Sequence, residues 1–379
     1  MEIVVDGIIY QSQVCGGISR LFNEILLRMC EADDSLHITL LTTGWLKQML
    51  PQHRRITHRS IPDIERYLRP NCVWQSALPK IKRFMYDLWI GTGEGKVWHS
   101  TYYTMPEKWA GYSVATVHDM VFELFPQFYS GPEFDLFRQR KRLSVQRADV
   151  VICVSDTTRQ DVLRLYGLGA DKVHVVHNAC SDIFRQLDCV NLPASIQIKQ
   201  PFLLYVGNRA RYKNFDVLAK AYSRWHRRKE VALVLVGGRP ISESEQQLMT
   251  ELSIAEQVKL LRDMDDETLC CLYNRALGFV YPSLYEGFGM PLLEAMACGC
   301  PIIASRIPST IEVAKDCPVY FEPGKADDLL RAFDIVLSEG RNSERVQAGL
   351  EIVKSYSWDK TAAQTLEVYR GYEPGIPIQ

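Results

Sequence analysis

Short apolar runs alternate with amphipathic stretches along the first half of the chain. The runs include EIVV, HITLLTT, VWHS, YSVATVH, DVVICVS and KVHVVHN, and a helical pattern covers about residues 17–31. Strands that alternate with helices are typical of βαβ units on a parallel sheet. The first half of the chain therefore predicts an α/β domain.

The same alternation restarts after a polar, proline-containing stretch at residues 191–201, NLPASIQIKQP. The second series of apolar runs is FLLYVG, VALVLVGG, QVKLLR, GFVYPS, PIIAS and VYFE. Because 379 residues suit two ordinary domains, we predict two Rossmann-like, doubly wound domains at residues 1–192 and 193–356. Ligands of such sheets bind at the carboxyl ends of the strands, so we expect the chemistry in residues that follow strands.

Composition narrows the class of protein. The chain has 47% hydrophobic and 23% charged residues, which is ordinary for a soluble globular protein, and a net charge of -1 supplies no field for nucleic acid. The start, MEIVVDGIIY, predicts a first strand rather than a secretory signal, because it carries acids and no basic stretch. The apolar runs are much shorter than the roughly 20 residues that span a bilayer. We expect a cytoplasmic protein that does not bind nucleic acid.

The eleven cysteines are scattered and include no C-x-x-C spacing. Cys270 and Cys271 are adjacent, and Cys298 and Cys300 are two apart. A zinc site needs a second closely spaced pair of cysteines or histidines. We therefore expect reduced, buried thiols and no metal site.

The stretch YPSLYEGFGMPLLEAMACGCPIIAS, residues 281–305, predicts a strand, a turn and a short helix. Pro291 suits the first helical position, where its fixed φ and missing N–H are both tolerated. Gly299 suits the position just past the helix end. The helix is therefore predicted to run from Pro291 to Ala297 or Cys298.

Two glutamates flank the start of this helix, Glu286 in the turn and Glu294 in the predicted first helical turn. Interaction with the helix dipole would explain Glu294 but not Glu286. Gly287 and Gly289 remove side chains from the backbone that opens the helix, and an exposed helix N-terminus suits a phosphate or diphosphate. The glutamates can accept hydrogen bonds from sugar hydroxyls, so the segment indicates a site for a phosphorylated sugar.

A basic cluster follows another predicted strand. VGNRARYKNFDVL, residues 206–218, brings Arg209, Arg211 and Lys213 together. A solvated basic loop is the ordinary explanation of such a cluster. At a strand end, however, the same charges would stabilise a diphosphate leaving group.

These two segments resemble the E-x7-E signature and the G-x-x-x-P-x-K-N segment of the retaining GT-B glycosyltransferases of family 4, group 1. That family includes bacterial mannosyl- and glucosyltransferases of cell-surface polysaccharide assembly. The resemblance implies two Rossmann-like domains that face a cleft, with a C-terminal helix, residues 357–379, that crosses back to the first domain. The segments 155–184 and 354–370 also resemble family segments, so the resemblance extends over nearly the whole chain.

The resemblance implies roles at the donor site for both glutamates. Glu286 would lie at the donor sugar, and Glu294 would hold the ribose of the nucleotide. Arg262 follows a strand, and main-chain atoms there would contact the base. The other donor contacts would come from the backbone of Phe288, Gly289, Met290, Pro291 and Leu292.

The resemblance also implies phosphate contacts from the basic segment and from two segments of the first domain. Lys213 would bind the diphosphate together with an arginine; the family often has Arg at the position of Asn208, and Arg209 is preferred here to Arg211. From the first domain, Gly16 and Gly17 in VCGGISRLFNEIL would contact the donor phosphates. In ATVHDMVFELFP, His118 would point at the donor sugar, with Asp119 as a structural partner.

The implied reaction transfers a hexose from a nucleotide sugar, with UDP-glucose as first choice, to a hydroxyl of a growing, lipid-linked polysaccharide or oligosaccharide. The family retains the anomeric configuration, and the departing phosphate oxygen helps to deprotonate the acceptor. No cofactor or metal is implied. Asp263-Met264-Asp265 matches the D-x-D of metal-dependent transferases, but those have a different fold, and a helix N-cap is the preferred interpretation.

Three alternatives remain open: a GT-B nucleotide-sugar epimerase, a non-catalytic donor-binding subunit, and a sucrose- or trehalose-type synthase with a soluble acceptor. The sequence also suggests peripheral contact with the inner face of the plasma membrane, because a basic and aromatic stretch can touch anionic lipid. A solvated helix face explains that stretch equally well. Its residues are Lys80, Lys82, Arg83, Phe84, Tyr86 and Trp89.

Overall fold

The computed structural model describes residues 1–14, 16–61, 90–188, 192–193, 196 and 198–371. Within them the chain divides into two compact units. Unit 1 takes in the described residues of Met1–Glu123 and Tyr129–Asn178 and of the segment that begins at Trp358, and unit 2 those of Leu124–Phe128 and Ala179–Ser357.

The strands and helices of the described residues alternate along the chain. The strands are β1 (Glu2–Asp6), β2 (His37–Thr43), β3 (Ile56–Ile61), β4 (Lys96–Ser100), β5 (Tyr112–Val117), β6 (Val150–Cys153), β7 (Val173–Val175), β8 (Phe202–Val206), β9 (Ala232–Val236), β10 (Val258–Leu261), β11 (Gly278–Tyr281), β12 (Ile302–Ser305) and β13 (Val319–Phe321). The helices are α1 (Ile8–Ser12), α2 (Gly17–Ala32), α3 (Val121–Leu124), α4 (Pro132–Arg147), α5 (Asp156–Tyr166), α6 (Phe215–Arg224), α7 (Glu243–Glu251), α8 (Asp266–Arg275), α9 (Met290–Ala297), α10 (Pro308–Ala314), α11 (Ala326–Glu339), α12 (Glu344–Val353) and α13 (Trp358–Arg370). Short 3-10 turns occur at Pro126–Phe128, Ala170–Lys172 and Arg211–Lys213.

Unit 1 is built on a parallel sheet with the strand order β3-β2-β1-β4-β5-β6-β7 in the described residues. Val4 of β1 pairs with Thr39 of β2 on one side and with Trp98 of β4 on the other. The direction in which strands are added reverses between β1 and β4. Their carboxyl ends, at Asp6 and Ser100, therefore form the topological switch point at which such sheets bind ligands.

The C-terminal helix α13 completes unit 1 by packing against α2. The hydroxyl of buried Tyr369 hydrogen-bonds His99 Nδ1, and the other ring nitrogen of His99 lies 2.7 Å from Thr116 Oγ1. Thr361 donates a 2.7 Å hydrogen bond to the His177 carbonyl. This arrangement confirms the predicted return of the C-terminal helix to the first domain.

Unit 2 repeats the same plan with the strand order β10-β9-β8-β11-β12-β13. Its strands are almost wholly apolar because helices cover both faces of the sheet. In its core, Trp225 at the end of α6 packs on Phe333 of α11, with ring centroids 5.3 Å apart. The switch point lies between β8 and β11, at Val206 and Tyr281. The two sheets confirm the predicted doubly wound α/β fold.

The chain passes from unit 1 to unit 2 after Asn178, ahead of the predicted boundary after residue 192. The residues that follow Asn178 pack on α8 of unit 2. Phe184 contacts Tyr273 edge to face with centroids 6.0 Å apart, and the Leu187 N–H donates to Asn274 Oδ1 at 3.0 Å.

Candidate active site

Two loops meet at the switch point of unit 2, residues 207–214 after β8 and residues 282–289 after β11. The Asn214 side-chain amide donates to the Pro282 carbonyl at 3.1 Å, and the Leu284 N–H donates to the Tyr212 carbonyl at 2.7 Å. Asn214 adopts a left-handed conformation, with φ 58°, in which its side chain can reach the second loop. These bonds fix the two predicted donor-site segments against each other.

Lys213 and Glu286 form an ion pair across the two loops. Lys213 Nζ lies 2.6 and 2.8 Å from the two carboxylate oxygens of Glu286. The side chains keep 15% and 10% of their exposure, so a ligand can reach both. Burial and the neighbouring Glu286 carboxylate raise the pKa of Tyr281 well above its usual value. The pair offers a cation for phosphate oxygens and an acceptor for hydroxyl groups, side by side.

Helix α9 opens beside this pair at an unusual backbone conformation. Gly289 has φ 113°, which favours glycine, and a Cβ there would lie 3.0 Å from Leu292 Cδ1, so a larger residue would also displace that side chain. Gly289 has no side chain with which to cap the first N–H groups of the helix, which suits them to an anion. The helix ends at Ala297 and is followed by Gly299 with φ 57°, as predicted.

Glu294 lies one residue further into α9 than predicted. The helix begins at Met290 rather than Pro291, so Glu294 falls in the second turn and its interaction with the helix dipole is weak. It is buried, and Glu294 Oε2 accepts a 3.0 Å hydrogen bond from the Tyr273 hydroxyl. Burial, with Glu294 alongside, raises the pKa of Tyr273 well above its usual value. The carboxylate is thus held in one orientation.

The backbone positions predicted to face the donor lie between these two glutamates. Phe288 is buried, and its ring packs edge to face on Tyr356 with centroids 5.8 Å apart. Met290 and Pro291 are half-buried, and Leu292 is buried. Side-chain packing therefore anchors the segment whose backbone opens α9.

Arg209 occupies a different environment from the one predicted. Its side chain is wholly buried, and its Nε lies 3.0 Å from Glu245 Oε1. Its other nitrogens donate to the carbonyls of Gly237 at 3.3 Å and Arg239 at 2.5 Å. A guanidinium engaged in this way ties the loop after β8 to the loop after β9. The geometry argues against Arg209 as a phosphate ligand and favours Arg211, which is exposed.

The acidic segment after β10 caps a helix. Asp265 accepts a 2.8 Å hydrogen bond from the Thr268 N–H at the start of α8, which confirms the predicted N-cap. Arg262, predicted to lie at the base, is exposed directly after β10. In the part of the chain that the structure describes, no group of three His, Cys, Asp or Glu side chains is placed to hold a metal ion.

In unit 1 the switch point is organised around Asp6. Its buried carboxylate accepts hydrogen bonds from the N–H of Thr101, at 3.1 Å, and from the hydroxyls of Thr101 and Thr104. Burial raises the pKa of Asp6, although these bonds oppose the shift. Asp6 thereby fixes the loop after β4.

His118 follows β5 and contacts that loop. Its Nε2 lies 3.1 Å from the Thr101 carbonyl, which can only accept, so Nε2 carries the proton and Nδ1 is left as an acceptor. Burial lowers the pKa of His118 to about 4, and the ring is neutral at pH 7. His118 can therefore accept a hydrogen bond from a hydroxyl group. Asp119 is structural, as predicted: its Oδ1 accepts from the Val121 N–H at 3.1 Å.

Lys141 is a buried charge that the sequence did not indicate. Its side chain is wholly buried, with Nζ 2.6 Å from the Asp119 carbonyl and 2.9 Å from Glu123 Oε2. Glu123 also accepts a 2.7 Å hydrogen bond from the Tyr166 hydroxyl. Helix α4 is polar on most faces, so no periodic signal marks Lys141 as the inward residue. The network supports the segment that carries His118.

Gly16 and Gly17 lie at the start of α2 in unit 1. Gly16 is extended, and a Cβ there would lie 2.5 Å from Gln13 Oε1. The first turn of α2 holds no acid and no side-chain cap. The predicted site residues thus fall into two sets: Gly16, Gly17 and His118 in unit 1, and the remainder in unit 2.

Two family descriptions match the chain. "Glycosyltransferase Family 4" matches residues 15–181, and "Glycosyl transferases group 1" matches residues 193–349. The O-antigen chain mannosyltransferase B of Escherichia coli is 29% identical over 282 residues, which are 72% of this chain and 74% of that protein.

Two solved structures share the fold over nearly the whole chain. Sucrose-phosphate synthase from Thermosynechococcus elongatus has a TM-score of 0.75 at 20% identity, with 98% of each chain covered. Anabaena HepE, in complex with UDP-glucose, has a TM-score of 0.73 at 16% identity, with 98% of this chain and 100% of that one covered. At such identities the likeness concerns the fold alone.

Proposed function

Because the chain belongs to the group 1, family 4 glycosyltransferases and has their GT-B fold, we propose that it transfers a hexose from a nucleoside diphosphate sugar to a hydroxyl of a growing polysaccharide or oligosaccharide. The observation that carries this proposal is the Lys213–Glu286 pair beside the open start of α9. It combines a cation, a helix start without a side-chain cap and a hydroxyl acceptor. A sugar diphosphate presents the complementary groups.

In this proposal, Lys213 and the uncapped start of α9 bind the diphosphate. Their positive charge stabilises the phosphate oxygen as the glycosidic bond breaks. Glu286 accepts hydrogen bonds from the donor sugar, and Glu294 from the ribose. His118 presents Nδ1 to a sugar hydroxyl, the role that the family resemblance gives it. The departing phosphate oxygen takes the proton of the attacking hydroxyl, with retention at the anomeric carbon and without a metal ion.

Two sugars are candidates for the transferred hexose. Mannose is favoured by the Escherichia coli relative, whose name identifies it as a mannosyltransferase of O-antigen chains. UDP-glucose, the donor expected from the sequence, is the second candidate, because HepE shares the fold and binds it. The Escherichia coli relative also supports a polysaccharide acceptor, because its name refers to O-antigen chains. We propose that this acceptor is lipid-linked.

The test is isothermal titration of the purified protein with UDP, GDP and ADP in EDTA. We expect one diphosphate to bind, and Lys213→Ala to weaken that binding by about 10- to 100-fold, because a charge-assisted phosphate contact is lost. Glu286→Gln should leave diphosphate binding largely intact and reduce transfer from the sugar nucleotide. Lys220→Ala, on the exposed face of α6 in the same unit, is the matched control and should change nothing.

Turnover separates the alternatives. We expect release of nucleoside diphosphate and a glycoside product only when a saccharide acceptor is present. Conversion of the donor without an acceptor would indicate an epimerase instead, and transfer to a free monosaccharide would indicate a synthase. Diphosphate binding that is equally tight in Lys213→Ala would overturn the site.

A further inference from the structure

One corner of unit 1 carries a cluster of exposed apolar side chains on the segment that follows β2. Trp45 is 72% exposed, Leu46 40% and Met49 89%, and Val14, after α1, is 71% exposed. The remaining large hydrophobic side chains that are exposed in the described chain are scattered: Leu136, Leu143, Ile311 and Ile335. We call Val14, Trp45, Leu46 and Met49 the apolar corner.

Hydrogen bonds join the two segments of the apolar corner. The Lys47 N–H donates to the Tyr10 carbonyl at 2.9 Å, and Lys47 Nζ lies 3.3 Å from the Ser12 carbonyl. The Gln48 amide donates to the Gln13 carbonyl at 3.2 Å. The exposed side chains are therefore held on an anchored backbone, next to the segment that leads into Gly16.

The segment that carries most of the apolar corner is basic. Residues 35–61 contain Lys47, Arg54, Arg55 and Arg59 and no aspartate or glutamate. Asp34 pairs with Arg55, whereas Lys47 and Arg59 are exposed. Basic residues near a bilayer that contains anionic lipid each add to its attraction, and tryptophan favours the headgroup region.

We propose that the apolar corner inserts into the surface of an anionic lipid bilayer, with Lys47 at the headgroups. Four protruding side chains are few for a stable protein interface, which buries about 800 Å² on each partner. They are sufficient for interfacial insertion, in which apolar burial and charge attraction act together. The corner adjoins the carboxyl edge of β1 and β2, so the bilayer would lie beside the edge of unit 1 that binds ligand. The link between the bilayer and ligand binding rests on the proposed function, and it fits a lipid-linked acceptor.

The experiment is flotation of the full chain with vesicles of phosphatidylcholine, alone or mixed with phosphatidylglycerol. We expect binding to the mixed vesicles only. Trp45→Ser/Met49→Ser should weaken it by at least about tenfold, because two apolar side chains no longer insert. Lys47→Glu should weaken it and reduce its salt dependence. Ile311→Ser/Ile335→Ser, which removes two apolar side chains of unit 2 that are 43% and 42% exposed, is the control and should bind as the wild type does.

Several results would overturn the inference. One is unchanged flotation of Trp45→Ser/Met49→Ser, and another is equal binding to pure phosphatidylcholine. Another is vesicle binding that Lys80→Glu/Lys82→Glu abolishes and the variants of the apolar corner do not. That result would assign the contact to the basic stretch predicted from the sequence, which lies outside the described residues. A change of oligomeric state in Trp45→Ser/Met49→Ser without lipid binding would make the corner a contact between copies. Nucleoside diphosphate titration of the same variants tests the proposed function separately. Variants of the apolar corner that lose vesicle binding should still bind the diphosphate.

Discussion

Arg209 and Arg211 differ by two positions and have opposite environments. Arg209 is buried in an ion pair with Glu245, which also closes the capping box at the start of α7. Removing one partner of a buried ion pair leaves the other charge uncompensated, at a cost of about 3 to 5 kcal/mol. The two arginines should therefore affect different properties of the protein.

We predict that Arg209→Ala lowers the free energy of unfolding of unit 2 by about 3 kcal/mol, because Glu245 keeps its buried charge. Arg211→Ala should leave stability within about 0.5 kcal/mol and weaken diphosphate binding, because an exposed side chain contributes little to folding. Urea unfolding and titration calorimetry of both variants check this. Unchanged stability of Arg209→Ala together with lost diphosphate binding would restore Arg209 as the phosphate ligand.

Two histidines with lowered pKa values, buried His99 and partly buried His118, give stability a dependence on pH. Burial lowers the pKa of His99 to about 3 and of His118 to about 4, from an ordinary value of 6.5. Between the lowered values and 6.5 the unfolded chain binds protons that the folded chain does not. The free energy of unfolding therefore rises with pH through that window and is flat, as far as these groups are concerned, above it.

We predict that His99→Gln reduces the slope of the unfolding free energy between about pH 4.5 and 6 by about 1.4 kcal/mol per pH unit, because one such proton is removed. Urea midpoints across that range measure the slope, whatever the change in overall stability. His226→Gln, at an exposed position, should leave the slope unchanged. A wild-type slope retained in His99→Gln would show that His99 is not held neutral.

The sequence did not distinguish Arg209 from Arg211 or mark Lys141 as buried. An arginine or lysine has the same hydropathy wherever it lies, and its burial depends on a partner that is distant in the chain. Glu245 and Glu123 are those partners, and neither is near its cation in sequence. Lys213 and Glu286 were selected by resemblance to a family, and the structure places them in contact.

At the scale of elements, Gly289 sets where α9 begins. Its positive φ is open to glycine alone at low cost, and a Cβ there would lie 3.0 Å from Leu292 Cδ1, so the Leu292 side chain would have to shift. Gly324 also has a positive φ, 80°, but has open space around it. Comparing substitutions at Gly289 and Gly324 therefore distinguishes the cost of backbone strain from the cost of a close side-chain contact.

We predict that Gly324→Ala costs about 1 kcal/mol, the strain of a left-handed residue. Gly289→Ala should cost more, because Leu292 must also move, and it should weaken diphosphate binding by displacing the first N–H groups of α9. Thermal unfolding and titration calorimetry check both variants. Equal losses of stability with unchanged binding in Gly289→Ala would show that the start of α9 does not contact the ligand.

Local signals predicted the ends of the elements well. The cap at Asp265 and the glycine after α9 were predicted because capping depends on residues within one turn of the helix end. The turn assigned to Glu294 was wrong because α9 starts at Met290, before its proline. The first residue of α9 depends on the φ angle of Gly289, and the sequence alone does not reveal that angle.

At the scale of the molecule, alternating apolar runs were enough to predict two doubly wound sheets. The point at which the chain leaves unit 1 was not predicted. It depends on long-range contacts of Phe184 and Leu187 with α8, which no pattern within residues 179–192 reveals. The return of α13 was known only through the family resemblance.

We predict that a chain ending at Ser357 loses the fold of unit 1 and keeps that of unit 2. Without α13, His99 loses Tyr369 and the apolar face of α2 is exposed to water. Hydrogen exchange should show lost protection in β4 and β5 and retained protection in β8 and β11. The full chain is the control and should be protected in all four strands. Full protection of β4 and β5 in the shorter chain would contradict the prediction.

The position of α13 also has a consequence for the newborn protein. The ribosome synthesises residues 179–357 before α13. Unit 2 can therefore finish folding while unit 1, whose synthesis began earlier, still lacks its last helix. Translation at about 5 to 20 residues per second leaves the uncovered face of α2 open to chaperones and other chains for many seconds. A stop codon late in the message would therefore harm the part of the protein that was made first.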